Sequence, residues 1–267
     1  MGENINSLTI EEAAQKPVKS ILISQPKPEN GKSPFLDLAT EFKMKVDFRP
    51  FIHVAGVEAK DFRKSKVYID QVKCVILTSR NAIENYFRLC EEMRIKVAED
   101  TKYFCISEAI ALYLQKFIQY RKRKVFFGDG KLPKLIEVIL KHKDKTDGNF
   151  LLPCSDVRDQ NMIDLLRKAN ISFEEAVMFR TVVSDLSDLK EVKYDMLAFF
   201  SPMGITSLFQ NFPDFEQGAT RIAAFGATTH EALKEKKLRL DVMAPTPENP
   251  SMAGAIKAYI QKANKKK

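Results

Sequence analysis

Short apolar runs alternate with segments of helical apolar spacing along the whole chain. In the first half, runs such as 20–26, 72–79 and 102–107 each precede a helical segment, and a further helical segment follows at 131–140. Uninterrupted apolar strands are typical of a parallel sheet that helices cover on both faces. The alternation therefore predicts right-handed βαβ units and an α/β fold of the doubly wound type.

The same series of blocks recurs in the second half of the sequence. Ser79 and Ser201 end equivalent runs and lie 122 residues apart, and Ser107 and Gly226 end another pair and lie 119 residues apart. Matching order and spacing predict a duplicated unit, and thus two parallel-sheet domains with a cleft between them. The paired blocks are 20–26 with 149–155, 72–79 with 194–201, 102–107 with 220–226, and 131–140 with 251–260.

Composition and net charge indicate which kinds of molecule the protein could bind. The chain has 267 residues, of which 45% are hydrophobic and 29% are charged, and its net charge is +8. Part of this charge is local, at residues 121–124 and 265–267. The basic balance fits a solvated surface, nucleic-acid binding or attraction of a polyanionic small molecule. Because no helix-turn-helix, zinc-finger or RNP signature occurs, nucleic acid is not expected as a partner.

Several other classes find no support in the sequence. The four cysteines form no Cys-x-x-Cys pair and the three histidines are scattered, which predicts reduced thiols of a cytoplasmic protein and no metal site. No apolar run approaches the roughly 20 residues of a membrane span, so no membrane partner is expected. Residues 1–17 lack the features of a secretion signal and are predicted to form a flexible arm. Glycine-rich cofactor loops and metalloprotease or esterase motifs are also missing.

Residues that favour helix N-termini follow the predicted strands. Ser201 precedes Pro202, which is typical of a helix start, and Thr228 with Glu231 has the spacing of a capping box. Capping alone would explain each residue. Taken together, however, they predict a row of free N–H groups suited to a ligand with several carboxylates or phosphates. Further candidate caps are Ser79, Ser107 and Ser155, and His230 in a first helical turn either contacts a ligand or faces solvent.

The chain resembles the uroporphyrinogen-III synthase family over residues 18–263. The resemblance rests on ordered segments rather than on any single motif. Phe-Ser-Pro-x-Gly within 198–205 and Gly-x-Thr-Thr within 222–233 are its most specific parts. The other matching segments are 76–83, 151–155, 178–181 and 244–247.

The resemblance implies an exchange of the first block between the two halves. The chain would cross twice between domains, near residues 49–52 and 180–183, and the two crossing strands would form a linker. The implied domains are an arm at 1–17, a discontinuous first domain of 18–50 with 182–263, a second domain of 53–179 and a basic tail at 264–267.

The resemblance also implies a cofactor-free lyase of haem biosynthesis. Hydroxymethylbilane would lose its hydroxyl to give a cationic azafulvene. The substituted α-carbon of the last ring would then attack to form a spiro intermediate, and recombination would give the inverted macrocycle. The protein would fold a flexible polycarboxylate and shield the cation from water.

Three positions depart from the family pattern. Ser24-Gln25 stands where Thr-Arg is usual, and Ser107–Ile110 stands where Gly-x-x-Thr is common. Phe179 occupies the place of a tyrosine that is thought to assist hydroxyl loss. Since phenylalanine cannot donate a proton, either that acid is dispensable, or a bound water or Tyr103 replaces it, or catalysis is slow.

These considerations give a primary function and two alternatives. The primary function is that of a monomeric cytoplasmic synthase acting on hydroxymethylbilane. The alternatives are a non-catalytic module that binds a polycarboxylate tetrapyrrole and, more remotely, a nucleic-acid-binding protein. No catalytic residue is assigned with certainty. The residues expected to bind substrate are Thr78, Ser79, Asn81, Ser107, Glu108, Ser155, Arg158, Ser201, Pro202, Gly204, Gly226, Thr228 and Thr229.

Overall fold

The computed structural model describes residues 16–29, 31–142, 149–190 and 192–264. Most of the predicted N-terminal arm and of the basic tail therefore lies outside the described residues. The strands are β1 (Ser20–Ile23), β2 (Lys45–Phe48), β3 (Ile52–Gly56), β4 (Cys74–Leu77), β5 (Lys102–Cys105), β6 (Val125–Phe127), β7 (Asn149–Ser155), β8 (Ser172–Val183), β9 (Met196–Phe199), β10 (Arg221–Phe225) and β11 (Val242–Ala244).

Helices alternate with these strands, as the apolar pattern predicts. Short 3-10 turns lie at Arg63–Ser65, Ile69–Gln71, Leu114–Lys116 and Ser187–Leu189. The α-helices are α1 (Pro34–Phe42), α2 (Ala59–Phe62), α3 (Arg80–Glu92), α4 (Glu108–Tyr113), α5 (Leu132–His142), α6 (Gln160–Lys168), α7 (Pro202–Asn211), α8 (Ala227–Glu235) and α9 (Met252–Asn264).

The strands form two sheets, and the chain divides into two compact units. One sheet has the order β11-β10-β9-β1-β2, and the other has the order β3-β8-β7-β4-β5-β6. Of the described residues, those before residue 54 and those from residue 182 onward form unit 1, and those within 54–181 form unit 2. Neighbouring strands from β11 to β2 and from β8 to β6 are parallel. The prediction of an α/β fold with two parallel sheets is confirmed.

Unit 1 buries its sheet between two helical layers. Alternate residues of β1 face opposite layers, because successive strand side chains point to opposite faces. Ile21 and Ile23 pack with α1 and α9, whereas Leu22 packs with α7 and α8. All three side chains are buried, which explains why the strand reads as one continuous apolar run.

One carboxylate joins β1 to the strand beside it. The Oδ2 atom of Asp195 accepts hydrogen bonds from the backbone N–H groups of Lys19 and Ser20, at 2.8 and 2.9 Å, and from the Ser20 hydroxyl at 3.1 Å. The Ser20 hydroxyl in turn accepts the Asp195 N–H at 3.0 Å. Residues 175 positions apart are thereby fixed at the amino ends of β1 and β9.

Unit 2 repeats this layered arrangement. The four residues of β4 are all buried, with α3 and α4 packed on one face and α5 and α6 on the other. All four cysteines of the chain are free, and three of them are buried. Burial raises the pKa of the Cys90 and Cys105 thiols to about 12 and that of Cys154 to about 11. These three thiols are therefore protonated and unreactive near neutral pH.

No helix within the described ranges has both the length and the apolar character of a membrane span.

Replacing Asp195 by Ala is expected to lower the free energy of unfolding by about 2–4 kcal/mol, because donors at the start of β1 lose a charged acceptor. Urea denaturation followed by circular dichroism measures this change. The matched control is Asp214→Ala, since Asp214 is exposed and makes no hydrogen bond within the described residues. Equal stability of the two variants would contradict a fastening role for Asp195.

Candidate functional site

The carboxyl ends of parallel strands gather at one edge of each sheet, where ligands bind in open α/β folds. In unit 2 this edge follows β4, β5 and β7, and in unit 1 it follows β1, β9 and β10. The residues expected to bind substrate belong to both edges. Thr78, Ser79, Asn81, Ser107, Glu108, Ser155 and Arg158 lie in unit 2, and Ser201, Pro202, Gly204, Gly226, Thr228 and Thr229 lie in unit 1.

Two serines of the unit 2 edge cap helices as the sequence predicts. The Ser79 hydroxyl oxygen accepts the Ala82 N–H at 3.1 Å at the start of α3, and the Ser107 hydroxyl oxygen accepts the Ile110 N–H at 3.4 Å at the start of α4. Both serines have extended backbone and are partly exposed. Each hydroxyl keeps its own proton, so it can still donate a hydrogen bond to a ligand. Beside these caps, Thr78 and Asn81 are partly exposed and Glu108 is exposed.

Ser155 does not cap the helix that follows β7, so that prediction is wrong. Its hydroxyl donates to Asp156 Oδ1 at 2.9 Å and accepts the Val157 N–H at 3.2 Å. The chain continues for four residues before α6 begins, and Asp159 provides the cap by accepting the Met162 N–H at 3.1 Å. A register irregularity between Cys154 and Ser155 accompanies this longer connection.

Arg158 forms an ion pair instead of standing free at the strand end. Its Nε atom lies 3.2 Å from Glu175 Oε2, with the arginine side chain 57% exposed and the glutamate 18% exposed. Glu175 pairs with Leu152 in the sheet, three residues before the end of β7. A ligand carboxylate at this edge would have to compete with Glu175 for the Arg158 guanidinium.

Phe179, at the family tyrosine position, and Tyr103, the suggested replacement donor, are both buried. Phe179 is 8% exposed and packs in the apolar core of unit 2 together with Tyr103, which is 3% exposed. Burial raises the pKa of the Tyr103 phenol well above its usual value. The suggestion that Tyr103 replaces the missing family tyrosine therefore has no geometric basis in unit 2.

In unit 1 the start of α7 matches its prediction. The Ser201 hydroxyl oxygen accepts the Gly204 N–H at 3.3 Å, and Pro202 takes the first helical position. A Cβ atom at Gly204 would lie 3.3 Å from Phe199 Cδ1 and 3.8 Å from Ser24 Oγ. Close packing between this helix and the ends of β1 and β9 therefore favours glycine. Because β1 pairs with β9, Ser24 lies at the same strand-end edge as Ser201. The position of Ser24 in the sequence does not indicate this proximity.

The predicted capping box at Thr228 and Glu231 is wrong. Gly226 stands at the N-cap position with φ 87° and ψ 148°, and no side chain caps α8. The helix begins at Ala227, so Thr228 is already inside its first turn and is exposed, whereas Thr229 is only 1% exposed. Thr228 is thus open to a ligand, and Thr229 packs within unit 1.

His230 is turned toward the protein. Its Nε2 atom lies 2.9 Å from the Ala224 carbonyl oxygen, and the residue is partly buried. The hydrogen bond ties α8 to β10 and explains the histidine without a ligand. Within the described part of the chain, no group of three or more His, Cys, Asp or Glu side chains could hold a metal ion.

Comparison with known proteins gives one family. The sequence model described as HEM4, uroporphyrinogen-III synthase HemD, matches residues 35–254, and the chain belongs to this family. No curated protein sequence matches the chain. The crystal structure of uroporphyrinogen-III synthetase from Helicobacter pylori 26695 has a TM-score of 0.54 at 16% identity and covers 91% of this chain and 99% of its own, which shows the shared fold. A mutant uroporphyrinogen III synthase from the extremely thermophilic bacterium Thermus thermophilus has a TM-score of 0.47 at 14% identity, covering 93% of this chain and 100% of its own.

Replacing Gly226 by Ala is expected to lower the free energy of unfolding by about 1–3 kcal/mol, because φ near +87° is strained for any residue with a Cβ atom. No atom lies within 4 Å of the added Cβ position, so the loss would come from the backbone alone. Urea denaturation measures it, with Ala227→Ser at the next, exposed position as control. A Gly226→Ala protein as stable as this control would contradict the assignment.

Proposed function

We propose that this member of the uroporphyrinogen-III synthase family closes hydroxymethylbilane into a macrocycle and inverts the last pyrrole ring. The family match over residues 35–254 carries the proposal, because it spans every residue expected to bind substrate in either unit. The reaction is the cofactor-free loss of one water molecule with ring closure. It belongs to haem biosynthesis.

The substrate supplies the reactive groups in this mechanism. The hydroxyl of the hydroxymethyl group takes up a proton and leaves as water, and the carbon that carried it becomes the electrophilic methylene of a cationic azafulvene at the first ring. The substituted α-carbon of the last ring attacks this cation and forms a spiro intermediate, which fragments and recombines with the last ring inverted. The protein has to hold the chain in a bent shape and keep solvent water from the cation.

Hydroxyl groups and backbone N–H groups at the strand ends are suited to hold the carboxylates. Ser79, Ser107 and Ser201 each accept one backbone N–H and keep an O–H proton for a ligand. The helix N-termini behind them favour negative charge. The formal net charge of +8 would attract a polycarboxylate from solution.

The other residues of the proposed site contribute in different ways. Thr78, Asn81, Glu108, Ser155 and Thr228 are partly or fully exposed, so they are open to direct contact. Thr229 is buried, and its contribution in this proposal is to the packing of α8. Arg158 can bind a substrate carboxylate after its ion pair with Glu175 is broken. The backbones of Pro202, Gly204 and Gly226 shape the helix starts of unit 1.

A water molecule supplies the proton for hydroxyl loss in this proposal. Phe179 has no hydroxyl, and the phenol of Tyr103 is enclosed in the core of unit 2. Positioned acids typically contribute on the order of 10²–10⁴ in rate, so turnover slower than with such an acid is expected.

The proposal further takes the protein to be a monomer of the cytoplasm. Its partner is the small polycarboxylate substrate, without nucleic acid and without a membrane. Reduced, largely buried cysteines support an intracellular compartment. Sedimentation velocity at micromolar concentration tests the oligomeric state, and a stable dimer would contradict that part of the proposal.

The deciding experiment supplies hydroxymethylbilane to the purified protein and separates the oxidised products by isomer. We expect uroporphyrin III in excess over the type I isomer, which forms spontaneously. Heat-denatured protein provides the background of spontaneous closure. Type I product alone at high protein concentration, combined with tight binding of the substrate, would instead indicate a non-catalytic binding module.

Replacing Phe179 by Tyr is expected to leave turnover unchanged and to lower the free energy of unfolding by about 1–3 kcal/mol, since a hydroxyl would enter an apolar core. The isomer assay and urea denaturation measure the two effects. A tenfold rise in turnover would contradict this placement, because it would mean that the new hydroxyl reaches the substrate.

A further inference from the structure

One arginine at the strand-end edge of unit 2 keeps its hydrogen-bond donors unused. Arg80 is the first residue of α3, three positions after the end of β4, and it is exposed. Its guanidinium carbon lies 5.0 Å from the centroid of the Tyr113 ring. Within the described part of the chain, the Arg80 side chain makes neither a hydrogen bond nor an ion pair. A guanidinium held by an aromatic face offers its planar donors outward to a carboxylate.

Tyr113 also forms a hydrogen bond with Glu84, the carboxylate that would otherwise form an ion pair with Arg80. Glu84 lies one helical turn after Arg80, at the spacing where ion pairs form on helices. Its Oε1 atom instead accepts a hydrogen bond from the Tyr113 hydroxyl. Accordingly, no ion pair joins Arg80 to Glu84 among the described residues. The hydrogen bond to Glu84 also raises the pKa of the Tyr113 phenol, so this donor stays protonated.

A second cation lies over the same ring. The Lys116 Nζ atom is 4.5 Å from the Tyr113 centroid, and Lys116 is exposed without an ion pair in the described ranges. An anion bound beside this ring would be attracted by both positive charges. Two other arginines of unit 2 differ from Arg80, because Arg88 pairs with Glu92 at 2.7 Å and Arg158 pairs with Glu175.

We propose that Arg80 binds a carboxylate of the substrate, and that Tyr113 is a positioning residue which holds the guanidinium and keeps Glu84 away from it. The inference deepens the proposed function and depends on it for the identity of the substrate. It assigns the recognition of one acetate or propionate side chain to Arg80, with Lys116 adding positive charge. The chemistry is a charge-assisted, two-pronged hydrogen bond between guanidinium and carboxylate.

The first test compares Arg80→Gln with Arg167→Gln. Arg167 is exposed in the last turn of α6, away from the strand ends, so both variants lose one positive charge from the same unit. The readouts are KM and kcat for isomer III formation and the fluorescence-measured Kd for uroporphyrin III, a polycarboxylate porphyrin. We expect Arg80→Gln to raise KM and Kd about tenfold, as for loss of a charged hydrogen bond, with little change in kcat. Arg167→Gln should change neither constant more than about twofold.

The second test separates positioning from mere packing. Tyr113→Phe keeps the ring but releases Glu84, which is then free to pair with Arg80, so KM should rise several-fold. Adding Glu84→Gln to this variant should bring KM back toward the wild-type value, because no carboxylate is left to compete. If Tyr113 acted through packing alone, the double variant would be no better than the single one.

The outcomes distinguish this inference from the function it rests on. Equal effects of Arg80→Gln and Arg167→Gln in a protein that makes isomer III would overturn the role of Arg80 and leave the activity standing. A wild-type protein that makes no isomer III, yet loses uroporphyrin III affinity through Arg80→Gln alone, would overturn the activity and keep the carboxylate site.

Discussion

The position of β1 inside the first sheet is the constraint on which the rest of unit 1 depends. The strand lies between β2 and β9, and the Asp195 carboxylate fixes its amino end. With that end fixed, the carboxyl end of β1 is set as well, and Ser24 donates its N–H to the Ala198 carbonyl at 3.1 Å. Ser24 thus comes beside the start of α7. A slip of one residue would exchange the side chains that face the two helical layers, so a polar anchor at the strand's start also defines the register.

The two units differ in how much of the chain must be present before each can fold. Unit 2 is one continuous stretch, 54–181, whereas unit 1 needs residues 16–53 and residues beyond 182. The pair β1–β2 has short separation along the chain, but β9, β10 and β11 arrive only after unit 2. The entropy of closing so long a loop rises slowly with its length, so the loop can contain a whole domain. Compact burial of Ile21 to Ile23 then offsets that entropy.

The sequence predicted the strands and several helix N-caps, because both depend on residues that are close together in the chain. The apolar runs at β1, β4, β9 and β10 are strands, and Ser79, Ser107 and Ser201 cap helices, because strand burial and N-capping follow from residue type. Capping at Ser155 failed because Asp156 takes the serine hydroxyl and a longer connection moves the helix start to Asp159. The box at Thr228 failed because the backbone of Gly226 starts α8 earlier than the box requires. The sequence does not single out Arg80, because the surroundings of its side chain depend on Tyr113, 33 positions away.

Capping and ligand binding, which the sequence presents as alternatives, are compatible roles for one hydroxyl. A serine at an N-cap uses an oxygen lone pair for the backbone N–H and retains its proton as a donor. The hydrogen bond from the backbone N–H fixes the position of the serine oxygen. The O–H group that remains can then donate to a ligand from a fixed place at the strand end. Such donors stabilise carboxylates but are weak acids, and the phenols of Tyr86 and Tyr103 are enclosed in the core of unit 2. Under the proposed function, these hydroxyl donors would hold carboxylates of the substrate, and the proton for hydroxyl loss would come from water.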